Sequence, residues 1–149
     1  MIRKVTAEIN GYHKRETDTE EYTETYKGEF ARIDDALWMK LYSQNPGDDT
    51  SLLMKVKKDR VEIRRSGSVK AEYLFEEGRN FMTVYQTPYG TLHFLISTQM
   101  LEVKRIWKGW EIDIRYLMKD PSMKQEDSEK VEQTELLLSE SRLHFRINF

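Results

Sequence analysis

The chain has 149 residues and no cysteine, with 24 Lys+Arg against 26 Asp+Glu and a formal net charge of −2. That length suits one domain of about 100–150 residues, with a core large enough to need no covalent staples. The lack of cysteine excludes a disulfide framework, a thiolate metal site and a cysteine nucleophile, and the near-zero charge gives no electrostatic case for nucleic acid.

At the N-terminus, the pair Arg3-Lys4 leads into polar-interrupted residues, not the apolar core of a signal peptide. No stretch approaches the roughly 20 apolar residues of a spanning helix. A soluble, cytoplasmic protein is the expectation. Val5, Ala7 and Ile9 alternate with polar residues and predict a first strand. His13 to Glu21 is polar and reads as a hairpin loop. Tyr22, Tyr26 and Phe30 share a face of a second strand. Helical spacing competes there, but Thr23, Thr25 and Gly28 argue against it. Asp34-Asp35-Ala36 is a turn before Leu37–Tyr42, and Pro46-Gly47-Asp48-Asp49 is a loop before Leu52.

Alternation is clearer further on. Lys57-Lys58-Asp59-Arg60 makes a hairpin between Leu53–Val56 and Val61–Arg65. Glu76 to Asn80 makes another between Tyr73–Phe75 and Phe81–Tyr85, with Gly78 free to take a positive φ. Pro88-Tyr89-Gly90 precedes Leu92, Phe94 and Ile96. Lys108-Gly109 separates Val103–Trp107 from Trp110, Ile112, Ile114 and Tyr116. Asp120 to Lys130 is charged and reads as a mobile connection. Val131 to Glu140 suits a short helix or a strand about equally, and Leu143, Phe145 and Ile147 restore a final strand. These elements predict an all-β fold: an antiparallel up-and-down barrel of about 8–10 strands spanning the whole chain as one domain.

In a closed sheet the apolar parity faces inward, so polar residues on that parity mark a site or a structural plug. Arg65 follows Val61 and Ile63. Tyr85 and Thr87 follow Phe81 and Thr83, Thr98 follows Ile96, and Tyr116 follows Ile114. Two readings stand. Arg65 could close one barrel end against strand carbonyls, or Arg65 and the tyrosines could hold the polar or anionic end of a small ligand. His13, His93 and His144 share no metal spacing and read as surface residues. No phosphate loop, nucleophile elbow or metalloprotease motif occurs. The basic cluster around Lys57, Lys58, Arg60, Arg64 and Arg65 is interspersed with acids and reads as a mixed-charge outer face. Leu95, Leu101 and Leu117, apolar on polar parities, could form a homodimer or protein-interaction face.

The runs Glu62-Ile63-Arg64-Arg65-Ser66-Gly67, Tyr85-Gln86-Thr87-Pro88-Tyr89-Gly90, Leu95-Ile96-Ser97-Thr98 and Ile112-Asp113-Ile114-Arg115-Tyr116 occur in that order. This resembles the YwiB-like family of small bacterial proteins, strongly from about Leu53 to Leu117 and faintly before Tyr42. The resemblance implies a calycin-type, lipocalin-like barrel and no known activity. It carries over Arg65, Gly67, Tyr85, Thr87, Tyr89, Gly90, Thr98 and Tyr116. The longer charged stretch Asp120–Glu140 departs from the family pattern. The expectation is a non-catalytic barrel without cofactor, binding a small molecule through Arg65, Tyr85, Thr87, Thr98 and Tyr116. The alternatives are a homodimer or interaction module, and a weak single-stranded nucleic-acid binder.

Overall fold

Period-two patterning becomes ten antiparallel strands. The computed structural model describes residues 1–126 and 133–149. In chain order the strands are β1 (Arg3–Lys14), β2 (Thr19–Ile33), β3 (Ala36–Ser43), β4 (Ser51–Val56) and β5 (Val61–Ser66). They continue as β6 (Ala71–Phe75), β7 (Asn80–Thr87), β8 (Gly90–Ile106), β9 (Gly109–Glu126) and β10 (Gln133–Asn148). Each strand pairs with its neighbours in sequence, except that β1 pairs with β10 and β6 does not form a ladder with β7. The β1–β10 ladder curls the meander into a barrel, and β6 and β7 meet at its seam. The predicted all-β barrel is the fold observed. No helix among the described residues is long and apolar enough to cross a membrane.

Three sequence expectations are corrected and one left open is settled. The loop read at His13 to Glu21 is confined to the turn between Lys14 and Thr19, because the β1–β2 ladder continues to the pair Lys14–Thr19. The connection expected from Asp120 is strand as far as Glu126. The helix-or-strand segment is strand from Gln133 onward, and residues 127–132 of these two expectations lie outside the described residues. The hairpin predicted at Glu76–Asn80 turns the chain without pairing its arms. Across this seam the backbone bridges are Lys70 with Gln86 in both directions, at 3.0 and 2.9 Å. At the far end the Gly78 amide donates to the Thr98 carbonyl at 3.0 Å.

Register decides what lies inside. Val5, Ala7 and Ile9 on β1, Met39 and Leu41 on β3, and Ile112 and Ile114 on β9 are all buried. A bulge in β8 between Thr98 and Met100 shifts the parity by one. Leu101 therefore turns inward opposite Ile114 and is buried, which removes it from the proposed outer face. Leu95 and Leu117 remain half-buried on the outside.

One barrel end is plugged by aromatic rings. Trp110 lies edge-on to Phe30 at 5.2 Å between centroids, and Phe149 lies 5.4 Å from each. The Arg105 guanidinium sits 4.5 Å from the Trp110 centroid and 5.1 Å from that of Phe149. The interior is thus closed by rings at this end.

At Gly28 the backbones of β2 and β3 approach too closely for a side chain. A Cβ on Gly28 would stand 1.8 Å from the Lys40 carbonyl oxygen, a backbone atom that cannot swing aside. Gly28→Ala is therefore expected to cost at least about 1–3 kcal/mol, read as a lower urea midpoint. Gly11→Ala should cost less, since it meets the Tyr22 ring, a side chain that can rotate away. Equal midpoints for Gly28→Ala and the parent would refute this account of the β2–β3 approach.

Candidate functional site

The end opposite the aromatic plug opens into a cavity of about 790 Å³. Ile9, Leu52, Ile63 and Phe145 form its apolar floor. One wall is a chain of rings from β6 to β9. Tyr73 and Phe75 are nearly parallel, with centroids 5.9 Å apart at 8°. Tyr85 stands edge-on to Tyr73 and to Phe94, at 5.8 and 5.0 Å, and Phe75 leans on Tyr116 at 5.3 Å.

Arg65 lies near the end of β5, between Leu52 and Ala71 in the ladder, so it points inward beside this wall. The chain then leaves the strand at Gly67, with φ of 125°, where a Cβ would stand 2.9 Å from the Asp49 carbonyl oxygen. The Asp49 carboxylate accepts from the Ser68 amide at 3.1 Å and the Ser68 hydroxyl at 2.9 Å, which fixes the turn. Asp48 accepts from the Thr50 amide and hydroxyl, at 3.0 and 2.6 Å, and from the Ser43 hydroxyl at 2.8 Å. Those bonds, foremost that from the Thr50 side chain, hold its carboxyl below the usual range.

The Arg65 Nε is buried and has no hydrogen-bond partner among the described residues. No carboxylate described lies within salt-bridge reach of it. Its charge is felt at the phenols of Tyr22, Tyr26, Tyr73 and Tyr85 and, more weakly than the hydrogen bonds there, at the Asp48 carboxylate. Burial outweighs that charge: it pushes Tyr22 up to about 12 and raises Tyr26, Tyr73, Tyr85 and Tyr116. All five phenols are neutral donors near pH 7. Tyr73 donates to the Tyr85 hydroxyl, bridging the seam. Tyr26 donates to Glu24 at 2.6 Å.

Four of the five residues chosen by parity line this cavity: Arg65, Tyr85, Thr87 and Tyr116. The Thr87 hydroxyl is occupied by its own turn, donating to the Gly90 carbonyl at 2.8 Å and accepting from the Tyr89 amide at 3.2 Å. Thr98 is not among the lining residues. It lies deeper, at the β8 bulge, buried and with its hydroxyl unpartnered among the described residues. Parity had placed it correctly inside but could not give its depth.

Sequence reasoning missed Tyr22, Tyr73 and His13. Tyr22 and Tyr73 share the inward parity of their strands, and the reading given to Tyr85 and Tyr116 finds them too once it is applied to β2 and β6. His13 was hidden by the expected loop; one more residue of alternation after Gly11 brings it inside. Its ring stacks on Tyr22 at 5.5 Å, and Nδ1 lies 2.6 Å from the Ser141 hydroxyl. His93 is exposed, and His144 pairs with Asp113 at 2.6 Å on the outer face. Among the described residues no group of three or more His, Asp or Glu is arranged to hold a metal.

His13 makes stability pH-dependent. Burial lowers its pKa from the ordinary 6.5, so the unfolded chain binds more protons than the folded one as pH falls through that value. Its contribution is constant above 6.5 and shrinks below it, down to the lowered folded value. Melting temperature is expected to fall from about pH 7.5 to about pH 5.5, with a smaller fall in His13→Gln. The same fall in both proteins would exclude His13 as a source.

Except for Arg65, which points inward, the basic hairpin faces outward, with Arg60 paired to Glu62 at 3.2 Å, Arg64 to Glu72 at 3.2 Å and Lys57 to Asp35 at 3.9 Å. These pairs give the hairpin a mixed-charge surface.

The fold and site define a class: a ten-stranded up-and-down barrel, sealed at one end by aromatic rings and open at the other through an arginine–tyrosine mouth. A family described as "Domain of unknown function (DUF1934)" matches residues 7–135, and the chain belongs to this family. A solved structure similar to it is that of the ywiB protein from Bacillus subtilis. It is 17% identical, with a TM-score of 0.72 over 97% of this chain and 92% of that one. That likeness concerns the fold, and together with the family match it bears out the YwiB-like resemblance of the motifs. No curated protein matches the chain.

Proposed function

We propose that this protein is a non-catalytic, cytoplasmic barrel that binds a small molecule through an apolar body and a polar or anionic end. The observation that carries this reading is Arg65: a guanidinium with a buried, unpartnered Nε beside an open cavity of about 790 Å³. A buried polar group left without a partner costs about 1–3 kcal/mol, and a ligand acceptor would supply the missing bond. The cavity lies within the range of about 300–1,000 Å³ that holds drug-sized molecules. A barrel whose arginine served only as a plug would pair it with strand carbonyls and fill the space around it.

Native mass spectrometry of the purified full chain tests this, before and after denaturing extraction and refolding. An adduct that is removed by extraction, with a lower melting temperature afterwards, is expected. A bare chain whose melting temperature is unchanged by extraction overturns the reading.

A second reading, self-association, has its own observation. On the outer face Met82 opposes Leu95 in the β7–β8 ladder, and Leu137 on β10 reaches the same row across Lys119. Met82 and Leu137 are exposed and Leu95 and Leu117 half-buried, an apolar strip across β7–β10. Sedimentation equilibrium checks it: a monomer at all concentrations excludes a homodimer through this face.

A further inference from the structure

Resting on the cavity reading above, we infer that the ligand class is a planar aromatic monocarboxylate, held by Arg65 and the Tyr85 hydroxyl with its ring against the β6–β9 aromatic wall.

Three features of the mouth select this class. The first is hydrogen-bond direction. Arg65 can only donate. Tyr85 accepts from Tyr73, so its own proton remains available to donate, and burial keeps that phenol protonated. Two donors lining one cavity ask for an acceptor, and a carboxylate offers two oxygens in one plane. Charge-assisted bonds of this kind are about twice as strong as neutral ones.

The second feature is charge. Glu20 and Glu24 line the same cavity from β2. Glu20 is paired with Arg15 at 3.9 Å, and Glu24 accepts from Tyr26. Among the described lining residues, Arg65 is the guanidinium without a carboxylate partner, and it shares the mouth with Glu20 and Glu24. One negative charge is matched by Arg65. A dianionic phosphate would set its second charge against Glu24, with no second unpaired guanidinium among the described lining residues to answer it.

The third is shape and surface. The wall formed by Tyr73, Phe75, Tyr85 and Phe94 presents ring faces and edges at mutual angles of 8° and 67°. An aromatic ligand extends that arrangement with stacked and edge-to-face contacts, worth about 0.5–1.5 kcal/mol per pair beyond area burial. An alkyl chain would bury area there but gain none of this.

The test is calorimetric titration of the ligand-stripped full chain with four probes: naphthalene carboxylate, naphthyl methanol, naphthyl phosphate and dodecanoate. Naphthalene carboxylate is expected to bind at least about tenfold more tightly than each of the others. Tyr85→Phe should weaken the carboxylate about fivefold or more and leave naphthyl methanol within about twofold. Phosphate or dodecanoate binding as tightly as the carboxylate overturns the ligand class while the cavity reading stands. Equal binding of the carboxylate to Tyr85→Phe and the parent overturns the role of Tyr85. Failure of every probe to bind, together with a bare chain in native mass spectrometry, overturns the cavity reading itself.

Discussion

Arg65→Met is expected to lose ligand affinity by about 10–100-fold while the ligand-free protein becomes as stable as the parent or more so. The two effects have one cause. The guanidinium Nε is buried without a partner, so the empty protein carries the cost of a desolvated donor that methionine would not. Methionine keeps most of the stem's packing. A hydrogen bond to a charged group contributes about 1.5–3 kcal/mol, which corresponds to the stated loss in binding. Urea denaturation of the stripped protein gives the first quantity and titration gives the second. The opposite pattern, several kcal/mol of lost stability with binding intact, would make Arg65 a structural plug and refute its ligand role.

Trp110→Ala is expected to cost about 3–5 kcal/mol, lowering the melting temperature by about 10 °C. Trp110 is buried, touches Phe30 and Phe149, and lies under the Arg105 guanidinium. Alanine would leave a void among side chains that cannot collapse into it, because they are held by strand ends on β2, β8 and β10. The loss of the cation–π contact adds about 0.5–1 kcal/mol more. Ligand affinity should change little, because Trp110 lies at the sealed end and is not part of the cavity lining. A loss of affinity matching that of Arg65→Met would show that the two ends are coupled, against the separation argued here.

The two substitutions distinguish site from scaffold. One residue is poorly satisfied and half-buried at the mouth; the other is well packed at the base. At the sealed end aromatic rings and cations interlock. The mouth keeps groups whose bonding is incomplete. Binding the further ligand class argued above would complete it.

Much of this was legible along the chain. Strict alternation in Trp110–Tyr116 and in Val61–Arg65 gave strand, face and the inward position of Arg65, because side chains on a strand have a period of two and only one face is buried. Glycine and charged turns gave the number of strands to within the range found. Tertiary structure alone decided the rest. The bulge at Gln99 reversed the parity of Leu101, and no local signal announces where a ladder will absorb an extra residue. The β1–β2 ladder drew His13 into strand, since pairing outweighs the polarity that suggested a loop. Depth along the barrel separated Thr98 from Tyr85, although both share the inward face. That depth is set by strand stagger, which depends on every ladder in the ring at once. Away from the β8 bulge and the end of β1, the sequence by itself determined which side chains point inward; only closure of the sheet determined which of them share a cavity, because that requires positions distant in the chain to be brought to the same height.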